Sequence, residues 1–263
     1  MRIAILAAAL LGAIAVPAFA QKAPDPIPIE EWSLEKVGAM GEAIYRHDIA
    51  AWVATDALLA RLANSQPPAG MAGWIVVDEG ESQRVRFVRR DGGTLKSAFD
   101  VVVRSGRAGE VEPMDDPLSA EEKASFLARQ TAIDNIGRLR CSQQLNTVVL
   151  DDPDSDGWLV WLLTSTTDAN IVPIGGHYRF RISADGSTVL RRDMLSNSCL
   201  NMPREQQDDQ GRPVALVVSQ IVSQGPVETH VFLSLQNRMP IYVIAGEDRI
   251  FEVNGPQIRK VEP

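Results

Sequence analysis

The chain has 263 residues, 45% of them hydrophobic and 23% charged, with a formal net charge of −8 at pH 7. This acidic balance disfavours nucleic acid and anionic lipid surfaces as partners, because their phosphates repel a negatively charged protein. The length is sufficient for one large domain or for two lobes around a substantial core.

Residues 1–20 have the pattern of a cleavable secretion signal. Arg2 gives a positive start, residues 3–16 are apolar, and Ala18 to Ala20 form a small-x-small cleavage site. The apolar stretch is shorter than the roughly 18 residues that a membrane helix needs. We expect cleavage after Ala20 and a soluble periplasmic or secreted protein without a membrane anchor. Arginine outnumbers lysine 21 to 5, which is typical of a GC-rich bacterial gene.

The two cysteines of the chain, Cys141 and Cys199, predict one disulfide bond. An exported protein matures in an oxidising compartment, where a lone pair of cysteines is normally bonded. Their wide spacing does not match the C-x-x-C pattern of a redox pair. Closing this loop would stabilise the fold by about 4 kcal/mol through the entropy of the unfolded chain.

The first part of the chain predicts two helices followed by strands. Ser33 has the character of an N-cap, and a second helix is predicted to begin at Asp48. Trp52, Leu59 and Leu62 are spaced to share an inward face of that second helix. Alternating apolar residues and turn residues then predict three strands, over residues 74–77, 84–89 and 98–103.

A polar stretch with glycine and proline, residues 105–117, is predicted to link two lobes. The first lobe would cover residues 21–112 and the second residues 113–263, although the two can also form one continuous domain. In the second lobe, residues 119–122 read Ser-Ala-Glu-Glu, which is a capping box and predicts the start of a helix.

Strongly apolar segments follow that helix and predict an antiparallel sheet. They comprise residues 158–167, the hairpin 177–195, and further strands at 214–222, 229–235, 241–245 and 249–253. The expected class is therefore α+β. It has N-terminal helices and antiparallel sheets, and in the second half a helix is packed on an antiparallel sheet stapled by the disulfide. The capped helix from Ser119 and the hairpin Arg179 to Arg191 resemble the helix-on-curved-sheet modules of the PepSY and cystatin-like kind. That resemblance implies an architecture and no particular function.

Asp152, Asp154 and Asp156 form a D-x-D-x-D-G pattern with Gly157, the first half of a calcium loop. Alternate carboxylates on a tight turn offer calcium three of the six to eight oxygen ligands that it prefers. The twelfth position of a standard EF-hand is Leu163 here, so that motif is excluded, but a hairpin calcium loop stays open. The alternative is a hydrated turn, since aspartate and glycine are common in turns.

Two further groups of residues are candidates for ligand binding. His177 and Arg179 follow a glycine pair and would share one face of a strand, where they could meet a ligand. Alternatively, that strand simply turns its neighbouring aromatic residues to the core. Arginines also cluster on two predicted sheet segments and could bind an acidic group or be balanced by acids of the chain: Arg84, Arg86, Arg89, Arg90, Arg179, Arg181, Arg191 and Arg192.

The sequence contains no nucleophile elbow, H-E-x-x-H, P-loop or dinucleotide-binding pattern. We therefore expect a non-enzymatic binding or interaction module whose ligand is a protein or a small molecule. No cofactor is expected, and calcium at the aspartate-rich turn is left open. The alternatives are a hydrolase whose site assembles only in three dimensions, or a secreted inhibitor of a hydrolase. An enzyme should have a deep pocket with perturbed pKa values, and a binding module a shallow groove or an exposed apolar patch.

Overall fold

The computed structural model describes residues 28–63, 65–204, 215–246 and 249–262, so the predicted signal peptide and cleavage site lie outside it. The described residues form three α-helices: α1 Leu34–Arg61, α2 Ala120–Asp134 and α3 Glu228–Asn237. They also form fourteen strands: β1 Met71–Glu79, β2 Ser82–Asp91, β3 Thr94–Arg104, β4 Arg107–Pro113, β5 Leu145–Asp151, β6 Trp158–Thr164, β7 Ile171–Pro173, β8 Tyr178–Ile182, β9 Val189–Met194, β10 Asn201–Pro203, β11 Leu216–Gln220, β12 Ile241–Ala245, β13 Arg249–Asn254 and β14 Gln257–Val261. Within the described ranges, no helix combines the length and apolar character needed to cross a membrane.

The strands form three sheets of four strands and one short pair. The first sheet has the order β1-β2-β3-β4, the second β5-β6-β8-β9 and the third β11-β12-β13-β14, while β7 pairs with β10. Neighbouring strands are antiparallel except β11 and β12, which are parallel and are connected through α3. The predicted α+β class is therefore confirmed.

The stretch predicted as a linker contains a strand. Residues 107–113 form β4, which pairs with β3 in the first sheet. Most of its side chains are exposed, with Val111 as the buried exception, so its composition is that of a half-hydrated edge strand. The interpretation of this whole stretch as a linker was wrong, because an edge strand tolerates as many polar residues as a loop does.

α1 is one continuous helix of 28 residues, where two helices were predicted. Ser33 caps it as expected, since its Oγ accepts a hydrogen bond from the backbone N–H of Lys36. Asp48 lies in the middle of the helix and is not a cap. Its carboxylate is buried and accepts a hydrogen bond from the side-chain amide of Asn146 on β5.

The orientation of the second half of α1 also differs from the prediction. Trp52 is 61% exposed and Leu59 is 59% exposed, so neither lies on the inward face. Ala50, Ala54 and Leu58 face inward and pack against the first sheet. In one continuous helix, the direction of each side chain is fixed by its position along the whole helix. The small side chains of the inward alanines let the helix lie close to the sheet.

α3 was predicted as a strand, and this was wrong. Residues 228–234 are all buried, so the segment has no polar stripe that would reveal a helical period. α3 crosses α1 where α1 carries Gly41. A Cβ at this glycine would lie only 2.4 Å from the Cβ of Val231, so a larger residue here would push the two helices apart.

The second sheet lies at the centre of the fold and is covered on both faces. Every residue of β6 is buried. One face packs against Ala128 and Ala132 of α2, which confirms the predicted helix on a sheet. The other face, with Trp161 at its centre, packs into a core shared with α1, α3 and the third sheet.

The predicted disulfide is confirmed, with Cys141 and Cys199 joined at an Sγ–Sγ distance of 2.00 Å. The glycine pair before His177 explains how the stapled loop fits. A Cβ at Gly175 would lie 2.1 Å from the carbonyl oxygen of Ser198, and a Cβ at Gly176 would lie 2.3 Å from the Sγ of Cys141. These glycines give room to the disulfide-linked segments.

Candidate binding cleft

An open cleft of about 640 Å³ lies between the N-terminal half of α2 and the turns that follow β5 and β8. Its apolar part is formed by Trp158, Leu127 and three alanines, and its polar part is predominantly acidic. Four carboxylates and one amine line it: Glu121, Asp151, Asp156, Asp185 and Lys123.

The capping box fixes the α2 side of the cleft. Ser119 Oγ accepts a hydrogen bond from the backbone N–H of Glu122 at 3.1 Å, and Glu122 Oε2 accepts one from the backbone N–H of Ser119 at 2.8 Å. The other carboxylate oxygen of Glu122 accepts from Arg86 of the first sheet at 2.6 Å. The first turn of α2 is therefore held by the predicted capping box and also by the contact with Arg86 of the first sheet.

The turn between β8 and β9 forms the opposite wall and packs directly on α2. Gly186 has φ +77°, and a Cβ there would lie 2.1 Å from the carbonyl oxygen of Ala124. The carbonyl oxygen of Gly186 accepts a hydrogen bond from Thr131 Oγ1 at 2.7 Å. Glycine is needed both for the left-handed backbone and for this close approach.

Asp185 in the same turn is held as a carboxylate. The side chains of Ser183 and Ser187 donate hydrogen bonds to it, as does the backbone N–H of Ser187. These donors, that of Ser183 first, lower the pKa of Asp185 to about 2. The cleft therefore keeps a negative charge at this turn over the whole physiological pH range.

The carboxylates of the aspartate-rich turn have different surroundings. Two of them contact cations of the chain, and one lines the cleft. Asp152 is buried and contacts Arg181 at 3.0 Å. Asp154 pairs with Lys36 and Arg181, and the hydrogen bond from Lys36 is the largest cause of its lowered pKa. Asp156 is exposed and lines the cleft.

Among the described residues, no group of three or more His, Cys, Asp or Glu side chains is arranged to hold a metal ion. Calcium binding by the aspartate-rich turn stays a prediction. In this arrangement calcium would have to displace the cations that already contact Asp152 and Asp154.

His177 is buried, and both of its ring nitrogens have partners inside the protein. Nδ1 accepts a hydrogen bond from the backbone N–H of Thr164 at 3.0 Å, and Nε2 donates to the carbonyl oxygen of Pro173 at 3.1 Å. Burial lowers the pKa of His177 to about 4, so the imidazole is neutral near pH 7. It is 1% exposed, which leaves no open surface for a ligand.

Arg179 lies on the same face of β8 as His177 and is also buried. It contacts Asp193 at 2.7 Å and Glu228 at 3.2 Å, and its guanidinium lies 3.8 Å from the centre of the Trp32 ring. Trp161 Nε1 donates a further hydrogen bond to Glu228 at 2.8 Å. We call these residues the Arg179 cluster. His177 and Arg179, predicted as a possible ligand face, both lie in the packed interior of this structure.

Most members of the two arginine groups are paired with acids of the chain. Arg86, for example, contacts Asp100 and Glu122, each at 2.6 Å. The paired arginines are Arg84, Arg86, Arg89, Arg179, Arg181 and Arg191. This corresponds to the alternative in which sheet arginines are balanced by neighbouring acids.

The sequence pointed to only part of the cleft. Asp156 and Asp185 were noted as turn residues, but the α2 residues Glu121 and Leu127 were not connected with them. The available signal was the phase of α2: Leu127 falls beside the buried Phe126 and is 43% exposed.

The comparisons with known proteins found no matching family model, no matching curated protein and no matching solved structure.

Proposed function

We propose that this protein is an exported, soluble, non-enzymatic binding module. Its cleft would take a positively charged, partly apolar segment of a partner protein, or a small molecule of the same chemistry. The observation that carries the proposal is the cleft itself, which combines an apolar floor with a predominantly acidic lining. The signal-like leader and the disulfide support export, because disulfides persist in oxidising compartments.

The two parts of the cleft would make different contributions. Covering Leu127 and the accessible edge of Trp158 would supply the hydrophobic part of the affinity. The exposed carboxylates would attract a cationic segment and fix its orientation, contributing to association rate and specificity more than to affinity. Binding should therefore weaken at high ionic strength without being abolished.

A histidine-dependent hydrolase is supported less well. A general base has to reach the group that it deprotonates. The three histidines of the chain are 4%, 1% and 5% exposed, and none lines the cleft. Among the described residues that do line it there is no serine, cysteine or histidine. An inhibitor of a hydrolase would be one form of the proposed binding activity.

The proposal is tested by titrating the isotope-labelled mature protein with two short amidated peptides, Lys-Leu-Lys-Phe and Glu-Leu-Glu-Phe. The basic peptide should shift the amide signals of α2 and of the turns after β5 and β8, and the acidic peptide should not. The double variant Asp151→Asn/Asp156→Asn keeps the shapes of two exposed side chains and removes their charges. It should weaken binding by about threefold for each carboxylate.

The matched control is Glu42→Gln, which removes one exposed charge from α1, away from the cleft. It should leave the affinity unchanged. If Glu42→Gln loses as much affinity as the cleft variant loses for each carboxylate, the basic peptide is attracted by the overall charge of the protein and not by the cleft. That result, or the absence of shifts at the cleft with the basic peptide, would contradict the proposal.

A further inference from the structure

The edge strands of the three four-stranded sheets differ in charge. β1, β4, β5, β9 and β14 each carry at least one Asp, Glu, Arg or Lys. β11 carries none, and residues 215–224 around it are also uncharged. Charged side chains on an edge strand discourage pairing with a further strand, because the partner would have to cover or oppose them. Among the described strands of these three sheets, β11 is the edge without this protection.

The backbone of β11 leaves alternate residues without a partner strand. The N–H of Leu216 donates to the carbonyl oxygen of Pro240 at 3.1 Å, at the start of the parallel pair with β12. Successive residues of a strand direct their backbone groups to opposite sides, so the even-numbered residues of β11 point to β12. The backbone groups of Val217 and Ser219 therefore point to the free edge, where no described strand pairs with them.

The same alternation continues to Ile221, one residue beyond β11. From Leu216 to Val222 the even-numbered residues are buried, and the odd-numbered ones are exposed. The carbonyl oxygen of Val222 accepts a hydrogen bond from the N–H of Ile29 at 3.3 Å, so the free edge ends there. It comprises residues 217–221.

This free edge is complementary to a second copy of itself. Val217 is 55% exposed and Ile221 is 65% exposed, and Ser219 lies midway between them. In an antiparallel pair with a two-fold axis at Ser219, each Val217 lies opposite the Ile221 of the other copy, on the same face of the sheet. These are also the residues whose backbone groups point outward, so each opposed pair is a hydrogen-bonded pair.

We propose that β11 binds β11 of a second copy of this chain in antiparallel orientation, with Ser219 opposite Ser219. The two third sheets, of four strands each, then form one sheet of eight strands. The contact combines backbone hydrogen bonds with two pairs of Val217 and Ile221, and such apolar cross-strand pairs stabilise antiparallel strands. Because the chain has a formal net charge of −8 and the edge has none, association should strengthen as the ionic strength rises.

Cysteine crosslinking of the mature protein tests the contact and its register. Ser219→Cys places two thiols opposite each other, with Cα atoms about 5.5 Å apart, which a disulfide can span. This variant should form a covalent dimer with oxidised glutathione. Val217→Cys alone should not, because the two copies of position 217 lie roughly 13 Å apart along the strands. An equimolar mixture of Val217→Cys and Ile221→Cys should crosslink again.

Analytical ultracentrifugation measures the association without crosslinks. The wild-type mature protein should reach twice the mass of one chain as its concentration is raised. Ser219→Lys places two like charges opposite each other at an exposed position and should weaken the dimer by roughly fivefold. The matched control is Gln257→Lys, which adds the same charge to β14, the opposite edge of the same sheet. It should leave the dimer unchanged.

Several results would overturn the proposal. A wild-type protein that stays monomeric at all concentrations is one, and equal crosslinking of Val217→Cys and Ser219→Cys is another. A dimer that Ser219→Lys does not weaken would have its interface elsewhere. A monomer whose Ser219 amide is protected from hydrogen exchange would show that another segment of this chain covers the edge.

Discussion

The Arg179 cluster is buried, whereas Arg129 lies partly exposed at the seam where β1, β5, α1 and α2 line a second cavity, and the two arginines have contrasting partners. Each places an arginine beside a tryptophan, at 3.8 Å for Arg179 and Trp32 and at 5.0 Å for Arg129 and Trp74. Arg179 has two carboxylates, a backbone carbonyl and almost no exposure. Arg129 has a threonine hydroxyl and a cavity, and no carboxylate among the described residues.

This difference separates an arginine that holds buried elements together from one that is partly hydrated. A buried ion pair whose groups all have partners adds little net stability, but it fixes the relative position of the elements that carry it. The Arg179 cluster does this for β8, β9 and α3, which must meet at one place in the centre of the fold. Arg129 is only partly buried, so water can hydrate its guanidinium and it needs no acid partner.

Acidification should have the largest effect on stability, because two buried, neutral histidines lie two residues from members of the Arg179 cluster. They are His177, beside Arg179, and His230, beside Glu228. Burial lowers the pKa of His177 to about 4 and that of His230 to about 3. Below about pH 6.5 the unfolded chain binds these protons and the folded protein does not, so stability falls as the pH falls. Each histidine should remove about 3 kcal/mol from the free energy of unfolding by about pH 4.

Urea unfolding at a series of pH values, with calorimetry to count protons taken up on unfolding, measures this effect. The free energy of unfolding should decrease steadily below about pH 6.5, with net proton uptake. A free energy of unfolding that is constant between about pH 6.5 and about pH 4 would show that the two histidines are not held neutral.

Arg179→Met should be the most damaging single substitution of the comparison. It leaves the carboxylates of Asp193 and Glu228 buried without this cation, which typically costs about 3–5 kcal/mol. Arg129→Met is the matched substitution in the seam and should cost about 1 kcal/mol or less, because no carboxylate loses its partner. Urea unfolding of Arg179→Met and Arg129→Met in the same buffer compares the two losses of stability directly. Equal losses would remove the distinction between the two regions.

Asp48→Asn should stabilise the protein near neutral pH. Burial raises the pKa of Asp48 to about 6, so the folded protein pays for its negative charge at neutral pH. Since the folded pKa is raised, this cost is absent below about pH 4 and grows as the pH rises through about 6. The asparagine variant should gain roughly 2 kcal/mol at neutral pH and little at about pH 4. A gain that does not depend on pH would point to packing as its cause.

Calcium should have the smallest effect, since Arg181 and Lys36 already contact Asp152 and Asp154. We expect no calcium-specific change in Tm when calcium, magnesium and a chelator are compared at fixed ionic strength. A shift produced by calcium, not produced by magnesium and abolished by Asp154→Ala would instead identify the turn as a metal site.

The sequence was informative where the local signal agrees with the final environment. The capping box at Ser119 is a short-range hydrogen-bond pattern, and α2 begins where it predicts. The apolar residues on either side of the Asp91-Gly92-Gly93 turn indicated the strands β2 and β3. The cysteine pair, together with the signal-like leader, was enough to predict the disulfide.

The pattern failed where an element is buried on all sides or is longer than its local signals suggest. α3 has no polar face, so its apolar residues matched a strand as well as a helix. Asp48 had the features of a helix start, but Asn146 of β5 pairs with it inside a continuous helix. That continuity also determined the outward direction of Trp52.

The amino-acid sequence by itself determined the α+β class, the disulfide and the local start of α2, because each depends on composition or on residues close together along the chain. The two cavities depended on the tertiary structure. Arg129 and His47 line one cavity only because the first and second sheets come together, and Leu127 and Asp156 line another only because α2 packs on the second sheet. Contacts between such distant residues leave no period or motif in one sequence, since their energy comes from packing that forms only when the chain is folded.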